Sequence, residues 1–167
     1  MAQTIDNKND ALKFAMKLIA LRRRSEAEIR KRLKEKGCAE ELTGETVAEL
    51  YRYKYLDDAA FAESYINDRI NFRPAGRFVI KNELKKSGIA PDIITEKLDE
   101  LLDEKKELEL AERLVEKKLR TTSLEDKQKL RARIVYHLQS RGFSSKIISQ
   151  ALKNKIELDK FIDLEND

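Results

Sequence analysis

Ile80-Lys81-Asn82-Glu83-Leu84-Lys85-Lys86-Ser87-Gly88-Ile89 is the stretch that decides the fold. Ile80 and Leu84 lie four residues apart and share one helix face. Gly88 follows where a helix ends in the left-handed conformation, which costs other residues more. Ile89 then folds back on the last turn, and Pro91 suits the first turn of a new helix. The same spacing stands at Ile29, Leu33, Gly37 and Cys38, and again at Ile134, Leu138, Gly142 and Phe143. Gly37, Gly88 and Gly142 are three of the 5 glycines in the chain. A motif that uses most of a scarce residue points to an internal repeat.

Working outward, each copy has the same neighbours. Upstream, Ala-x-x-apolar-apolar-x-x-basic recurs as Ala15, Leu18, Ile19, Arg22, then Ala62, Tyr65, Ile66, Arg69, then Ala111, Leu114, Val115, Lys118. Downstream, Leu42 and Val47, Ile93 and Leu98, and Ile147 and Leu152 supply an apolar stripe for a third helix. Ser25-x-x-Glu28 is a capping box for the second helix of the first copy, and Ser123-x-x-Asp126 is a weaker one in the third. Ser144 is placed to cap the last helix. The expected fold is all-α, with three tandem three-helix repeats forming an elongated, curved array. The expected boundaries are a flexible N-terminus over 1–8, repeats over 9–56, 57–105 and 106–155, and an acidic, fraying tail over 156–167. Between Glu96 and Lys106 no helix breaker occurs, so one long helix is expected to run into the third repeat.

Composition excludes several classes. Of 167 residues 40% are charged, and 5 glycines with 2 prolines are too few for the turns of an all-β fold. The longest aliphatic run, Leu18 to Leu21, is far short of the ~20 residues of a membrane span. The first ten residues are polar and do not read as a secretory leader. With one cysteine, Cys38, and one histidine, His137, neither an internal disulfide nor a Cys/His metal cage is expected. No two glycines are spaced as a phosphate-cradling loop requires. A cytoplasmic monomer, with no membrane contact, cofactor or metal, is the expectation.

The net charge of +4 is unevenly spread. Arg22 to Lys36 holds eight basic and three acidic residues, Arg69 to Lys86 six and one, and Lys127 to Arg141 five and none. These are the second helices. The third helices of repeats one and two are acidic, which argues against their entering a DNA groove as base-reading helices. Arg22, Arg23, Arg24, Arg69, Arg77, Lys81, Lys85, Arg131 and Arg133 are therefore the candidate partner-binding or DNA-binding face. The plain alternative is that each run is an ordinary solvated helix face. His137 reads as a partly exposed surface residue, and Cys38 as a packing residue in the apolar slot after Gly37. Tyr51, Tyr53 and Tyr55 alternate with Arg52 and Lys54. They could stack on bases of a single strand, but seating the first repeat on the second is the favoured reading. No nucleophile, base or metal set marks an enzyme.

Tyr55-Leu56-Asp57-Asp58-x-x-Phe61-Ala62-x-x-Tyr65, then Arg69, then Gly76-x-x-x-Ile80-x-x-Glu83-Leu84-x-x-x-Gly88-Ile89 resembles the bacterial RecX family. The resemblance extends over residues 11–155. Cys38, in place of Ile89 and Phe143 of the other copies, and the Pro74 insertion depart from the pattern. The resemblance implies a non-enzymatic regulator. Such a protein binds the RecA filament, lowers its ATP hydrolysis and strand exchange, and limits recombination and the SOS response. It also implies weak, mainly non-specific contact with single- or double-stranded DNA. Asp57, Asp58, Phe61 and Tyr65 match the family motif and, with Gly37, Gly88 and Gly142, read as structural. Asp57 is placed to cap the fourth helix. Two other classes stay open: a nucleic-acid-binding repeat protein that acts without RecA, and a helical scaffold that binds protein through apolar grooves.

Overall fold

The structure, a computed structural model, describes residues 4–122 and 127–164, with side chains as far as residue 156. The described residues form helices and turns, with no strand among them. The helices are α1 (Lys8–Leu21), α2 (Glu26–Glu35), α3 (Glu40–Arg52), α4 (Asp58–Asn71), α5 (Arg77–Lys86), α6 (Pro91–Leu101), α7 (Glu104–Thr121), α8 (Lys127–Ser140) and α9 (Ser145–Leu164). They fall into three successive helix–helix–turn–helix repeats.

The three glycine turns are built alike. Gly37, Gly88 and Gly142 have φ of 73°, 79° and 82°. The N–H of the next residue reaches back over the last helical turn in each repeat, Cys38 to Leu33 O at 3.1 Å, Ile89 to Leu84 O at 3.1 Å and Phe143 to Leu138 O at 3.2 Å. This bond closes a helix end and buries the apolar residue behind it. Ile29, Leu33, Ile80, Leu84, Ile134 and Leu138 are all within 1% of complete burial. The expected caps form. Ser25 and Glu28 make both halves of the capping box, Asp57 Oδ1 accepts from Ala60 N at 2.9 Å, and Ser144 Oγ accepts from Ile147 N at 3.3 Å. The Ser123–Asp126 cap lies outside the described residues.

The structure departs from the sequence pattern in several places. No continuous helix crosses from repeat two into repeat three. Asp103 accepts from Lys106 N at 2.8 Å and starts α7 afresh, while Leu102 is fully buried between the two helices. An aspartate N-cap breaks a helix without proline or glycine. The N-terminal segment is tied down from Thr4 onward: Ile5 is 8% exposed and its N–H donates to Lys36 O at 3.2 Å. At the other end, α9 extends as helix to Leu164. In α6 the buried residue is Ile94 rather than Ile93.

The chain divides into two compact units, Met1–Tyr65 with Leu84–Thr95, and Ile66–Glu83 with Glu96–Asp167. The division cuts through repeat two. At each turn glycine the carbonyl just before it accepts a hydrogen bond from an earlier segment of the chain. In the first unit Lys36 O accepts from Ile5 N at 3.2 Å, and Ser87 O accepts from the Ser25 hydroxyl at 2.6 Å. In the second, Arg141 O accepts from Gly76 N at 2.9 Å. The first N–H of α2 and that of α5 are each capped by an acid from the next repeat. Asp58 Oδ1 accepts from Glu26 N at 2.9 Å, and Glu107 Oε1 accepts from Arg77 N at 2.8 Å. A carboxylate at a helix N-terminus satisfies an orphan donor and meets the positive end of the helix dipole.

Glu107 is only 6% exposed, and burial pushes its carboxyl above the ordinary 4.5, against the opposing pull of the Arg77 N–H and guanidinium. A carboxyl raised by folding binds its proton more tightly in the folded state. Folding stability carried by this group therefore falls as pH rises from 4.5 through its folded value. Glu107→Gln keeps an accepting oxygen and removes the titration. The stability of the Gln variant relative to Glu should rise between about pH 4 and pH 7, as read by urea unfolding at both pH values. A constant difference would show that the joint holds no raised carboxyl.

Candidate functional site

The cations expected to form one basic face separate into two kinds. Four are held by other groups of the protein, Arg22 among them although its side chain is half exposed. Arg22 forks onto Glu28 at 2.6 and 3.0 Å. Arg24 is 13% exposed and stands 3.8 Å from the same carboxylate. Burial would raise the Glu28 carboxyl, but the Arg22 bonds and charge hold it below the usual range. Arg69 Nε pairs with Glu83 at 3.1 Å. Arg77 donates to Leu98 O at 2.8 Å and Leu102 O at 2.6 Å, and pairs with Asp99. Its guanidinium closes the C-terminal end of α6, so it does not share an open face with Lys81 and Lys85. The other five, Arg23, Lys81, Lys85, Arg131 and Arg133, are exposed and make no ion pair among the described residues.

Each unit also holds a cationic hollow that the sequence reading missed. In the first unit Arg22, Arg24, Lys31, Arg32 and Lys86 line one of about 450 Å³. Glu28 and Glu35 line it too, and pair with Arg22 and Arg32. In the second unit a larger groove, about 740 Å³, lies among the α4–α5 turn, α7 and α8. Arg69, Arg73, Arg113, Lys117, Arg141 and His137 converge on it, and among the described residues no carboxylate lines it. Arg141 donates to Pro74 O at 2.7 Å, which fixes one wall. Burial and the charges of Arg141 and Lys118 push the His137 imidazole below 6.5. Helix α7 has balanced charge along its length, so no run marks Arg113 and Lys117. Their spacing of four residues was the available signal.

The motif residues stand in structural roles. Phe61 is buried and stacks on Tyr65 with ring centroids 6.2 Å apart. Asp57 and Asp58 cap α4 and α2. Cys38 is buried in the apolar slot, 7% exposed. The three tyrosines depart from the favoured reading. Tyr51, Tyr53 and Tyr55 are 38%, 57% and 49% exposed, because Leu50 and Leu56 already fill the interior at that turn. Tyr51 donates to Glu26 at 2.9 Å, and Arg52 lies 4.7 Å over the Tyr53 ring. Burial and the surrounding Glu26, Asp57 and Asp58 carboxylates push the Tyr51 phenol upward. Among the described residues no acidic, cysteine or histidine cluster could hold a metal ion, and no helix is long and apolar enough to cross a membrane.

Comparison with known proteins agrees across all three repeats. Residues 11–50, 57–98 and 105–152 match the first, second and third three-helix domains of RecX. The chain is 35% identical over 150 residues to the regulatory protein RecX of Pelodictyon phaeoclathratiforme, covering 90% of this chain and 91% of that one. Its counterpart in Chlorobaculum tepidum is 34% identical over 146 residues, 87% of this chain and 88% of that one. The RecX of Leuconostoc mesenteroides is 32% identical over 157 residues, 93% of this chain, but the chain spans 58% of that longer protein. The crystal structure of RecX from Lactobacillus salivarius superposes with a TM-score of 0.80 at 25% identity, over 89% of this chain and 96% of that one. Three domains matched in order, and 35% identity to a relative of matching length, place this chain in the RecX family of regulatory proteins.

Proposed function

We propose that this chain binds the RecA–DNA filament as a monomer and restrains its ATP hydrolysis and strand exchange, and with them recombination and the SOS response. The observation that carries the reading is similarity to proteins named regulatory protein RecX over all three domains. The five exposed cations, Arg23, Lys81, Lys85, Arg131 and Arg133, supply charge for an acidic partner surface or for phosphates. Several modest contacts presented by one folded chain raise avidity above that of any single contact. A cytoplasmic, cofactor-free, non-catalytic role goes with this reading.

The test is RecA ATP hydrolysis on excess single-stranded DNA with this chain titrated in. The expected result is inhibition at a chain-to-RecA ratio well below one. The Lys81→Glu/Lys85→Glu variant should need several-fold more protein, and the difference should shrink as salt screens the contact. Full RecA activity with a well-folded sample and a cognate recombinase would overturn the reading.

The second reading is a nucleic-acid-binding protein that acts without RecA. The carboxylate-free groove in the second unit favours it. Inhibition that vanishes as DNA is raised further would favour it too, with affinity falling steeply in salt.

A further inference from the structure

The groove of the second unit differs in kind from the hollow of the first. Five guanidinium or ammonium groups and one imidazole surround about 740 Å³, within the size range of small-ligand sites. Unpaired like charges held together cost energy that a bound anion would relieve. Arg73, Arg113 and Lys117 are exposed, and their side chains make no hydrogen bond or ion pair among the described residues. Arg69 and Arg141 are anchored, one by Glu83 and one by Pro74 O, and so hold fixed positions on the wall. Phe72 lies on the rim with 78% of its surface exposed. A large apolar ring left in water beside a cationic hollow has the make-up of a site that pairs phosphate contact with base stacking.

We propose that this groove binds a nucleotide unit, its phosphate held by Arg73, Arg113, Lys117 and Arg141 and its base stacked on Phe72. Recognition is by phosphate charge and a ring face, so the unit can belong to a single strand or be a free nucleoside polyphosphate. The site does not depend on recombinase binding and can be tested without it.

His137 is the single histidine of the chain and lies in this groove, so one imidazole signal reports on the site. Arg141 and Lys118 weigh against its protonation, and Arg113 and Lys117 share the groove with it. A bound phosphate reverses that field, so the imidazole should titrate at higher pH when the groove is filled. By linkage, affinity should rise as pH falls through the imidazole range.

The experiment follows the imidazole resonances of the full chain by NMR through a pH titration. It is run alone, with a short oligothymidylate, and with magnesium-free ATP. The expected result is an upward shift of the titration with at least one ligand. Arg73→Glu/Lys117→Glu should weaken binding at least about tenfold, because each lost phosphate contact also removes counterion release. Phe72→Ala should weaken it about tenfold through lost stacking. Tighter binding of the oligonucleotide than of ATP identifies the strand as the source, and the reverse identifies the free nucleotide. An imidazole that titrates identically with and without both ligands at millimolar concentration overturns the proposal. So does an equal shift in the folded Arg73→Glu/Lys117→Glu variant.

Discussion

Gly142→Ala should lower the folding stability by about 2–4 kcal/mol, the sum of a left-handed backbone cost and overpacking. The residue has φ of 82°. A Cβ there would lie 2.6 Å from Val79 N, a backbone atom that cannot swing aside. The turn is also where Arg141 O receives Gly76 N, so a shift that relieves the clash pulls that bond apart. Gly44→Ala is the internal control. Gly44 lies in α3, and an added Cβ would meet nothing within 4 Å. That change should stabilise by about 0.5–1 kcal/mol through reduced backbone entropy. Urea unfolding of both variants decides the matter. A Gly142→Ala protein as stable as wild type would mean that the joint is not close-packed there.

Arg77→Met should cost about 2–3 kcal/mol, because two carbonyls at the end of α6 lose a charged donor and Asp99 loses its partner. Arg77→Lys keeps the charge but not the fork, and one ammonium cannot hold the same spread of acceptors. It should lose most of the same stability. Lys81→Glu/Lys85→Glu, on exposed positions of the same helix, should unfold within about 0.5 kcal/mol of wild type. Equal stability for Arg77→Met and wild type would return Arg77 to the set of surface cations. The contrast also sorts binding data. Loss of partner binding at Lys81 and Lys85 is a surface effect, whereas loss at Arg77 travels through the fold.

The repeat itself was readable because its signal is local. Isoleucine and leucine four apart, a glycine, and an apolar residue specify a helix end within ten residues, and all three copies adopt it. Lys54 shows the limit of that rule. It ends α3 with φ of 57° in a non-glycine residue, and no composition cue announces it. The missed break at Asp103 has the same origin. An aspartate among many carboxylates becomes a cap only when the chain turns beside it.

The candidate site was legible in outline and misread in detail. Counting charge along the chain found the basic second helices, yet charge that is exposed and charge that is spent look alike in sequence. Arg77 and Lys81 are four residues apart on one helix. One closes the neighbouring α6 and the other faces solvent, because only Arg77 lies beside Leu98, Asp99 and Leu102. Arg73 and Arg141 come from the turns after α4 and α8, at positions within the basic runs, while Arg113 and Lys117 come from α7 and belong to no run. Their convergence exists only after packing.

What the sequence by itself determined is the helical class, the threefold repeat, the glycine turns and the caps made within four residues. Each of these is a contact between chain neighbours, encoded by spacing and by the backbone freedom of single residues. The tertiary structure alone decided the joints, the internal use of Arg22, Arg24, Arg69 and Arg77, and the carboxylate-free groove. Apart from Arg24 and Glu28, which are four residues apart, those depend on pairs 6 to 67 residues apart. A side chain's partner at that range is set by how helices stack, which no local pattern records.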